Sequence, residues 1–333
     1  MRFGLVPVAD ALGTILAHGV PAAALSKGIV LGDGHVLALK ALGIENVTVA
    51  RLEKGDVGED DAAVQLANAL APNADAQGVR LTKASTGRVN IMSLRAGLFE
   101  LDVARITALN RINPMITLAT LPNLRRVEAG VMLATIKVIA YALPQEEVND
   151  ACRVLGGDLA QGDAMTIRSA MIKTATLIET HHPGQRSQPK GRRVLDARLD
   201  RLGTNLVETL DVPHEETAII NAIANAEGEM IFFLTASATS DPNDTAPAAL
   251  RRAGGLVTRF GMPVDPGNLL FLGSFEDKPV IGLPGCARSP AMNGADWVME
   301  RVICGLPIGT DEISAMGVGG LLKDIPERGR PRS

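Results

Sequence analysis

The chain has 333 residues, 46% of them hydrophobic and 21% charged, with a formal net charge of −4 at pH 7. That length and apolar content predict two or three domains with substantial cores, and the charged fraction is ordinary for a soluble protein. The acidic balance, the scattered Lys and Arg and an aromatic content of 3% exclude the basic, base-stacking surface of a nucleic-acid binder.

The N-terminal "MRFGLVPVADALGTILA" contains Asp10 and no long apolar core, so it does not read as a signal peptide. Residues 1–75 read as a small α/β segment. "DALGTILAHGV" predicts a short helix running into a turn. "GDGHVLALKALG" predicts a helix with Val36, Leu39 and Leu42 on one face and a stop at Gly43. "NVTVARL" is a strand. "GEDDAAVQLANALA" is a helix whose first turn holds Glu59, Asp60 and Asp61, where carboxylates complement the macrodipole.

The polar "APNADAQ" (71–77) reads as a linker into a middle α/β segment, 76–158. Here "DVARITALNRIN" predicts a helix. "AGVMLATIKVIAYALP" predicts a buried strand, too short for a membrane span and interrupted by Lys137. Lys83, Ser85, Thr86, Arg88 and Asn90 cluster around Gly87, either as a solvated turn or as an anion site.

The segment 159–305 alternates strand and helix. "TATLIET", "NLVETLDVP", "EMIFFLTAS" and "GLVTRFG" are strands, and "DARLDRLG", "EETAIINAIANAEG" and "TAPAALRRAGG" are helices. "NLLFLGSFEDKPVIGLPG" is a hairpin around Glu276 and Asp277. "SPAMNGADWVMERVICG" closes as a helix with Trp297 in its core face. This alternation predicts a three-layer α/β/α domain with a mostly parallel sheet. The tail from Leu306 to Ser333, rich in Arg and Pro at its end, reads as a mobile terminus or linker.

In a parallel sheet, ligands bind beyond the C-terminal strand ends. Three such ends carry small or polar residues: Ser237 to Asp244 after "MIFFLTA", Cys286 to Ser289 after "PVIGLPG", and His181 to Gly184 after "TATLIET", continuing as "QRSQPKGRR". Hydroxyls, N–H groups and Arg288 suit phosphate oxygens. Asp241 or Asp244 is the candidate to hold a divalent cation or move a proton. The turn from Gly285 to Ser289 either is a plain connection or aims the next helix N-terminus at a ligand. Adjacent His181 and His182 point to opposite faces of a strand, against a bis-His metal site. The three cysteines, Cys152, Cys286 and Cys304, are widely spaced without C-x-x-C, which fits a reducing cytoplasm and gives no zinc pattern. Cys286 is either a packed small residue or a thiol activated by the helix start.

These residues resemble a known family. "FFLTASATSDPND", "RFGMPVDPGNLLFLGSFEDKPVIGLPGCARSPAMNGADWVMERV" and their order are similar to the molybdopterin-binding domain of molybdenum-cofactor biosynthesis proteins, over about 170–305. Pro263, Pro266 and Gly267 match that family's "KPG.P" stretch, with Asp265 where lysine is usual. Leu283, Pro284, Gly285 and Ser289 match its "GLPGxPxS" turn. The family's "TSGGxSxGxxD" loop is here Thr235 to Asp244 without its glycines, and its "DSN" is Asp196, Ala197 and Arg198. "LSKGIVLGDGHVLALKALGIENVTVARLEKGDVGEDDAA", "TGRVNIMSLRAGLFELDVARITALNRINPMITLATLP" and "ISAMGVGGLLKDIP" resemble the front half of bacterial fusions of such a domain to a nucleotidyltransferase, although no "GxGxR" transferase loop is present, nor the "PPFDNSAMDGYA" of the molybdenum insertase.

The resemblance implies a cytoplasmic, homo-oligomeric protein that binds molybdopterin or its nucleotide form, with Mg as a companion ion. Asp196, Ser237, Thr239, Ser240, Gly285, Cys286, Arg288 and Ser289 would hold the pterin, and Asp241 and Asp244 would be the catalytic and metal groups. The partner would be a cofactor nucleotidyltransferase or a molybdoenzyme. An enzyme acting on molybdopterin, a binding module that presents it, and an assembly protein without ligand are all consistent with the resemblance. The lost loop glycines favour the binding module.

Overall fold

The computed structural model describes residues 1–156, 162–185 and 189–324, which are mixed α/β throughout. They divide into two units: Met1–Arg95 with Phe99–Ile167, and Ala96–Leu98 with Arg168 onward. The segments 1–75 and 76–158 thus share the first unit.

The first unit opens with β1 (Arg2–Pro7), β2 (Ile15–Leu16), α1 (Asp33–Ala41) and β3 (Asn46–Arg51), in an antiparallel sheet ordered β1-β3-β2. Val36 and Leu39 of α1 join Leu16, Val47 and Val49 in its core. The helix expected in "DALGTILAHGV" is instead a single 3-10 turn, Val8–Asp10, followed by β2. Gly13 lies at φ +74°, and Leu16 and Ala17 donate to Ile29 and Thr48 carbonyls, so sheet pairing overrides the helical spacing.

The unit continues with β4 (Asp56–Gly58), α2 (Glu59–Leu70), α3 (Ala74–Gln77), β5 (Val79–Leu81), β6 (Arg88–Ser93), β7 (Gly97–Leu101), α4 (Val103–Ile112), β8 (Ile116–Thr120), β9 (Arg125–Val127), β10 (Met132–Val138), β11 (Ala142–Pro144), α5 (Gln145–Gly156) and β12 (Met165–Arg168). The strands form an antiparallel sheet β5-β6-β10-β8, a pair β11-β4 and a sheet β12-β7-β9. Leu66 and Leu70 of α2 and Val148 and Leu155 of α5 pack with Ile91 and Ile136 of the larger sheet.

The 71–77 stretch is built in rather than left as a linker. Gln77 is fully buried, and its amide donates to the Leu70 and Met165 carbonyls at 3.2 and 2.8 Å. The turn at Gly87 likewise differs from an anion site. Gly87 N donates to Asp60 Oδ1 at 2.6 Å. Lys137 reaches both the Thr86 carbonyl and Glu59. Carboxylates therefore hold the place an anion would take.

The second unit comprises β13 (Thr174–His181), α6 (Pro189–Asp200), β14 (Asn205–Pro213), α7 (Glu216–Ala224), β15 (Met230–Leu234), α8 (Thr245–Arg252), β16 (Leu256–Phe260), β17 (Phe271–Phe275), β18 (Lys278–Gly282), α9 (Gly294–Ile303) and α10 (Thr310–Ala315). Its six-stranded sheet runs β14-β13-β15-β18-β17-β16. β14, β13, β15 and β18 are parallel, and only β17 runs against its neighbours. Ile219 and Ile223 of α7 and Ala249 and Leu250 of α8 cover Ile178, Ile231, Phe233 and Val280 on one face. On the other face, α6 comes so close that a Cβ on Gly191 would stand 2.9 Å from Leu234 Cδ1, and Arg198 joins α6 to Asp296 of α9. This is the α/β/α domain the alternation predicts. The hairpin β17–β18 turns at Glu276, φ +50°.

The tail is ordered as far as it is described. Ile313 and Leu322 are fully buried, Leu322 N donates to the Asp265 carbonyl at 2.8 Å, and Lys323 pairs with Asp265 at 2.7 Å. These apolar anchors hold what composition alone read as a loose end; residues 325–333 lie outside the described residues. Among the described residues, no helix is long and apolar enough to cross a membrane.

Candidate functional site

Because β13, β15 and β18 are parallel neighbours, their C-terminal ends share one rim. Two contacts fasten the loops there. Ala236 N donates to Thr180 Oγ1 at 2.8 Å, tying the β15 loop to the end of β13. Arg288 Nη2 donates to the Thr235 carbonyl at 2.8 Å, tying the β18 loop to that of β15. The three loops singled out in the sequence are therefore brought together.

Arg288 also faces inward. Its Nη1 lies 3.6 Å from Oε1 of Glu179, a carboxylate only 3% exposed. A carboxylate at that depth is costly without a nearby cation, so Arg288 is committed to it rather than held ready for a phosphate.

The turn after β18 departs from the expected helix start. Gly285–Arg288 is one 3-10 turn, and α9 begins only at Gly294, capped by Asn293. Asn293 Oδ1 accepts from Ala295 N at 2.9 Å while Asp296 Oδ2 accepts from Asn293 N at 2.8 Å, a reciprocal capping box. Asn293 and Asp296 are 1% and 8% exposed, so the helix N-terminus is buried and satisfied by its own residues instead of aimed at a ligand. The intervening turn is clamped by Arg198. Its Nη1 donates to the Ala287 carbonyl at 2.5 Å, its Nη2 to the Ser289 and Ala291 carbonyls at 2.8 and 3.2 Å, and its Nε to Asp296 at 2.5 Å.

In the β15 loop, Thr235 Oγ1 donates to the Ser237 carbonyl and stands 3.3 Å from the Thr239 hydroxyl. Thr239 is buried, whereas Ser237 and Ser240 are exposed. Asp244 is the N-cap of α8: Oδ1 accepts from Thr245 N at 2.7 Å and Oδ2 from Ser240 N at 3.1 Å. Asp241 is exposed and accepts from Asn243 N at 2.7 Å. Both carboxylates thus shape the loop, and among the described residues no group of three or more metal-ligating side chains assembles here.

Ser237, Ser240 and Gly285 are exposed on the rim, and a Cβ on Gly285 would meet nothing within 4 Å. Ser289 is half-buried, with its carbonyl on Arg198. Cys286 is half-buried and not in a disulfide. Asp196 is exposed on α6.

Sequence reasoning missed Thr180 and His214. His214 Nδ1 is 2.8 Å from Thr180 Oγ1, and its ring meets that of His182 edge-on at 5.6 Å. Burial, reinforced by His182, holds the His214 imidazole below the usual histidine range, with Asp244 pulling weakly the other way. His181 turns aside to Asp211, Nδ1 to Oδ1 2.8 Å, as expected for adjacent residues of a strand. The available signal was the polar Glu179-Thr180 pair ending an apolar strand.

A separate cleft of about 810 Å³ lies in the first unit, lined by Phe3, Val6, Asp10, Leu12, Thr14 and Arg51 among others. Arg51 donates to the Asp10 carbonyl there.

The family model for a domain of unknown function, DUF8806, matches residues 5–51, the lobe holding this cleft. Comparison with curated proteins found no match. Among solved structures, the chain is similar to a molybdopterin biosynthesis MoeA protein from Pyrococcus horikosii, at 12% identity over 92% of this chain and 74% of that one, TM-score 0.28. It is similar to a molybdenum cofactor biosynthesis protein from Pyrococcus furiosus at 12% identity, over 92% of this chain and 66% of that one, TM-score 0.25. It is also similar to the molybdopterin biosynthesis enzyme MoaB from Thermus thermophilus, at 17% identity over 46% of this chain and 100% of that one, TM-score 0.29. Likenesses of this size bear on neither site nor function.

Proposed function

We propose that the second unit binds molybdopterin, or its nucleotide form, through a terminal phosphate on the rim formed by Ser237–Ser240 and Gly285–Ser289, and that the chain serves molybdenum cofactor biosynthesis or delivery. The reading rests on one observation: the stretches that resemble the molybdopterin-binding domain in the sequence end on the same rim, fastened by Ala236 to Thr180 and Arg288 to Thr235. The chain acts as a binding module rather than an enzyme, because Asp244 is spent on capping α8 and the loop lacks the glycines that admit close backbone approach. Asp241, exposed at the loop, is the carboxylate left for a Mg ion brought by the phosphate.

Isothermal titration of the full chain with molybdopterin, with and without Mg²⁺, tests the reading. Wild type binds, and Asp241→Asn loses about 10-fold or more only in the Mg-dependent part. Absence of binding by wild type under both conditions overturns the reading. Equal metal-independent binding by wild type and Asp241→Asn removes the Mg ion and leaves a pterin-holding module. Native mass spectrometry of the protein from its own host reads bound cofactor and oligomer size together.

A further inference from the structure

The rim carries two imidazoles that share an edge, with Asp244 exerting a weak pull toward the charged form of His214. The His182 and His214 rings meet at a centroid distance of 5.6 Å and an interplanar angle of 78°. His214 Nδ1 is engaged by the Thr180 hydroxyl, which leaves Nε2 as its open nitrogen. Both residues are half-buried, so neither is sealed from a ligand. Among the described residues, no carboxylate forms an ion pair with either ring. The contrast with His181 is direct, since that imidazole pairs with Asp211 at 2.8 Å.

Several elements of this rim carry charged groups. β13 supplies Glu179 and His181, and β14 supplies Asp211. The start of α7 supplies Glu215 and Glu216, the loop before α8 Asp241 and Asp244, and the turn after β18 Arg288. Arg288 is held by Glu179 and the Thr235 carbonyl, His181 and Asp211 hold one another, Glu216 is bound to Arg252, and Asp244 accepts two backbone N–H groups. Arg288 is thus already committed.

We propose that the His182–His214 pair is an anion-binding site that takes up protons as its ligand arrives, recognising a dianionic group such as a phosphate monoester. This rests on the rim reading above and extends it by naming the groups that meet the phosphate. Two imidazolium rings this close repel one another when no anion stands beside them, which disfavours the doubly protonated pair. A dianion between or beside them supplies the missing counter-charge and favours the protonated form of each. Burial and His182 lower the proton affinity of His214, with Asp244 pulling the other way, so a dianion has proton uptake to favour. The affinity for a fixed dianion therefore rises as pH falls.

Proton NMR titration of the full chain between pH 5 and 8, in sodium sulfate against sodium chloride at equal ionic strength, reads this directly. Sulfate stays dianionic over the whole range. His182→Gln and His214→Gln assign the two resonances among those of five histidines. Sulfate is expected to raise the midpoints of His182 and His214 by about one unit and to leave His18 and His35 unmoved. Each Gln variant, if folded, also shrinks the sulfate response of the remaining ring. Unmoved midpoints at His182 and His214, or equal shifts at all five histidines, overturn the proposal. The wild-type titration decides this even if a variant fails to fold. A sulfate response without molybdopterin binding refutes the pterin reading and keeps the site; the converse refutes the site alone.

Discussion

Arg198→Met removes the guanidinium that clamps the turn after β18 while keeping the aliphatic stem. The side chain is 10% exposed and its partner Asp296 11%, so the pair is screened little by water. Breaking one side of such a pair costs about 3–5 kcal/mol, because the remaining carboxylate stays buried without its counter-charge. The three carbonyls of Ala287, Ser289 and Ala291 also lose their donor; hydrogen bonds to charged groups are worth about 1.5–3 kcal/mol each but are not additive here. A loss of about 3–5 kcal/mol for unfolding of the second unit is therefore expected. Trp297, the chain's only tryptophan, lies on α9 next to Asp296, so urea unfolding followed by its fluorescence reports the affected element. Asp296→Asn and the double variant complete a cycle, with a coupling energy of at least about 2 kcal/mol. A single-variant loss below about 1 kcal/mol, or additive single variants, refutes the clamp.

Asp244→Ala is expected to lower thermal stability by about 1 kcal/mol, and Asp244→Asn by only a few tenths, as for an N-cap; equal losses would place the charge, not the cap, in control. His214 has its folded value lowered by burial and His182, so the unfolded chain binds more protons below the ordinary histidine range. Stability therefore rises with pH through that window and falls on acidification below about pH 6.5. His214→Gln flattens that part of the urea-midpoint profile, and an unchanged slope counts against the assignment. Cys304 is 2% exposed and its thiol is pushed up to about 11 by burial. It resists iodoacetamide at about pH 8 until the chain is unfolded, as peptide mass mapping checks.

The legible parts of the fold are those with local signals. Gly203 and Gly254 stop α6 and α8 in left-handed conformation at φ +77° and +96°, as their positions after periodic runs predict. The "FEDK" turn gave the hairpin by its chemistry alone. The start of α9 misled because two start signals stand four residues apart. Ser289-Pro290 has the composition of a cap and first turn, but Asn293 and Asp296 form the actual box. What decides between them is Arg198, whose acceptors lie 89 to 98 residues away, beyond any local pattern. Gln77 was hidden for the same reason, its partner Met165 being 88 residues distant. The rim loops could be grouped in advance because parallel topology orders strand ends. Their internal bonding could not, since whether Arg288 faces a ligand or Glu179 depends on the burial of Glu179 in β13.

The six-stranded sheet has two unlike halves. From β16 through β18 the pairings are antiparallel between consecutive strands, all within Leu256–Gly282. From β14 to β18 they are parallel and join strands separated by whole helices. Closing short loops costs less chain entropy than closing long ones, and local pairings are made sooner. The C-terminal meander therefore has the means to form first, leaving the free edge of β18, with Val280 and Ile281, open until β15 arrives to pair with it. During synthesis β15 emerges earlier and must wait for that edge. In the interval in which "MIFFL" has a preceding strand beside it but no β18, it presents an unpaired apolar edge, the kind of surface that promotes aggregation.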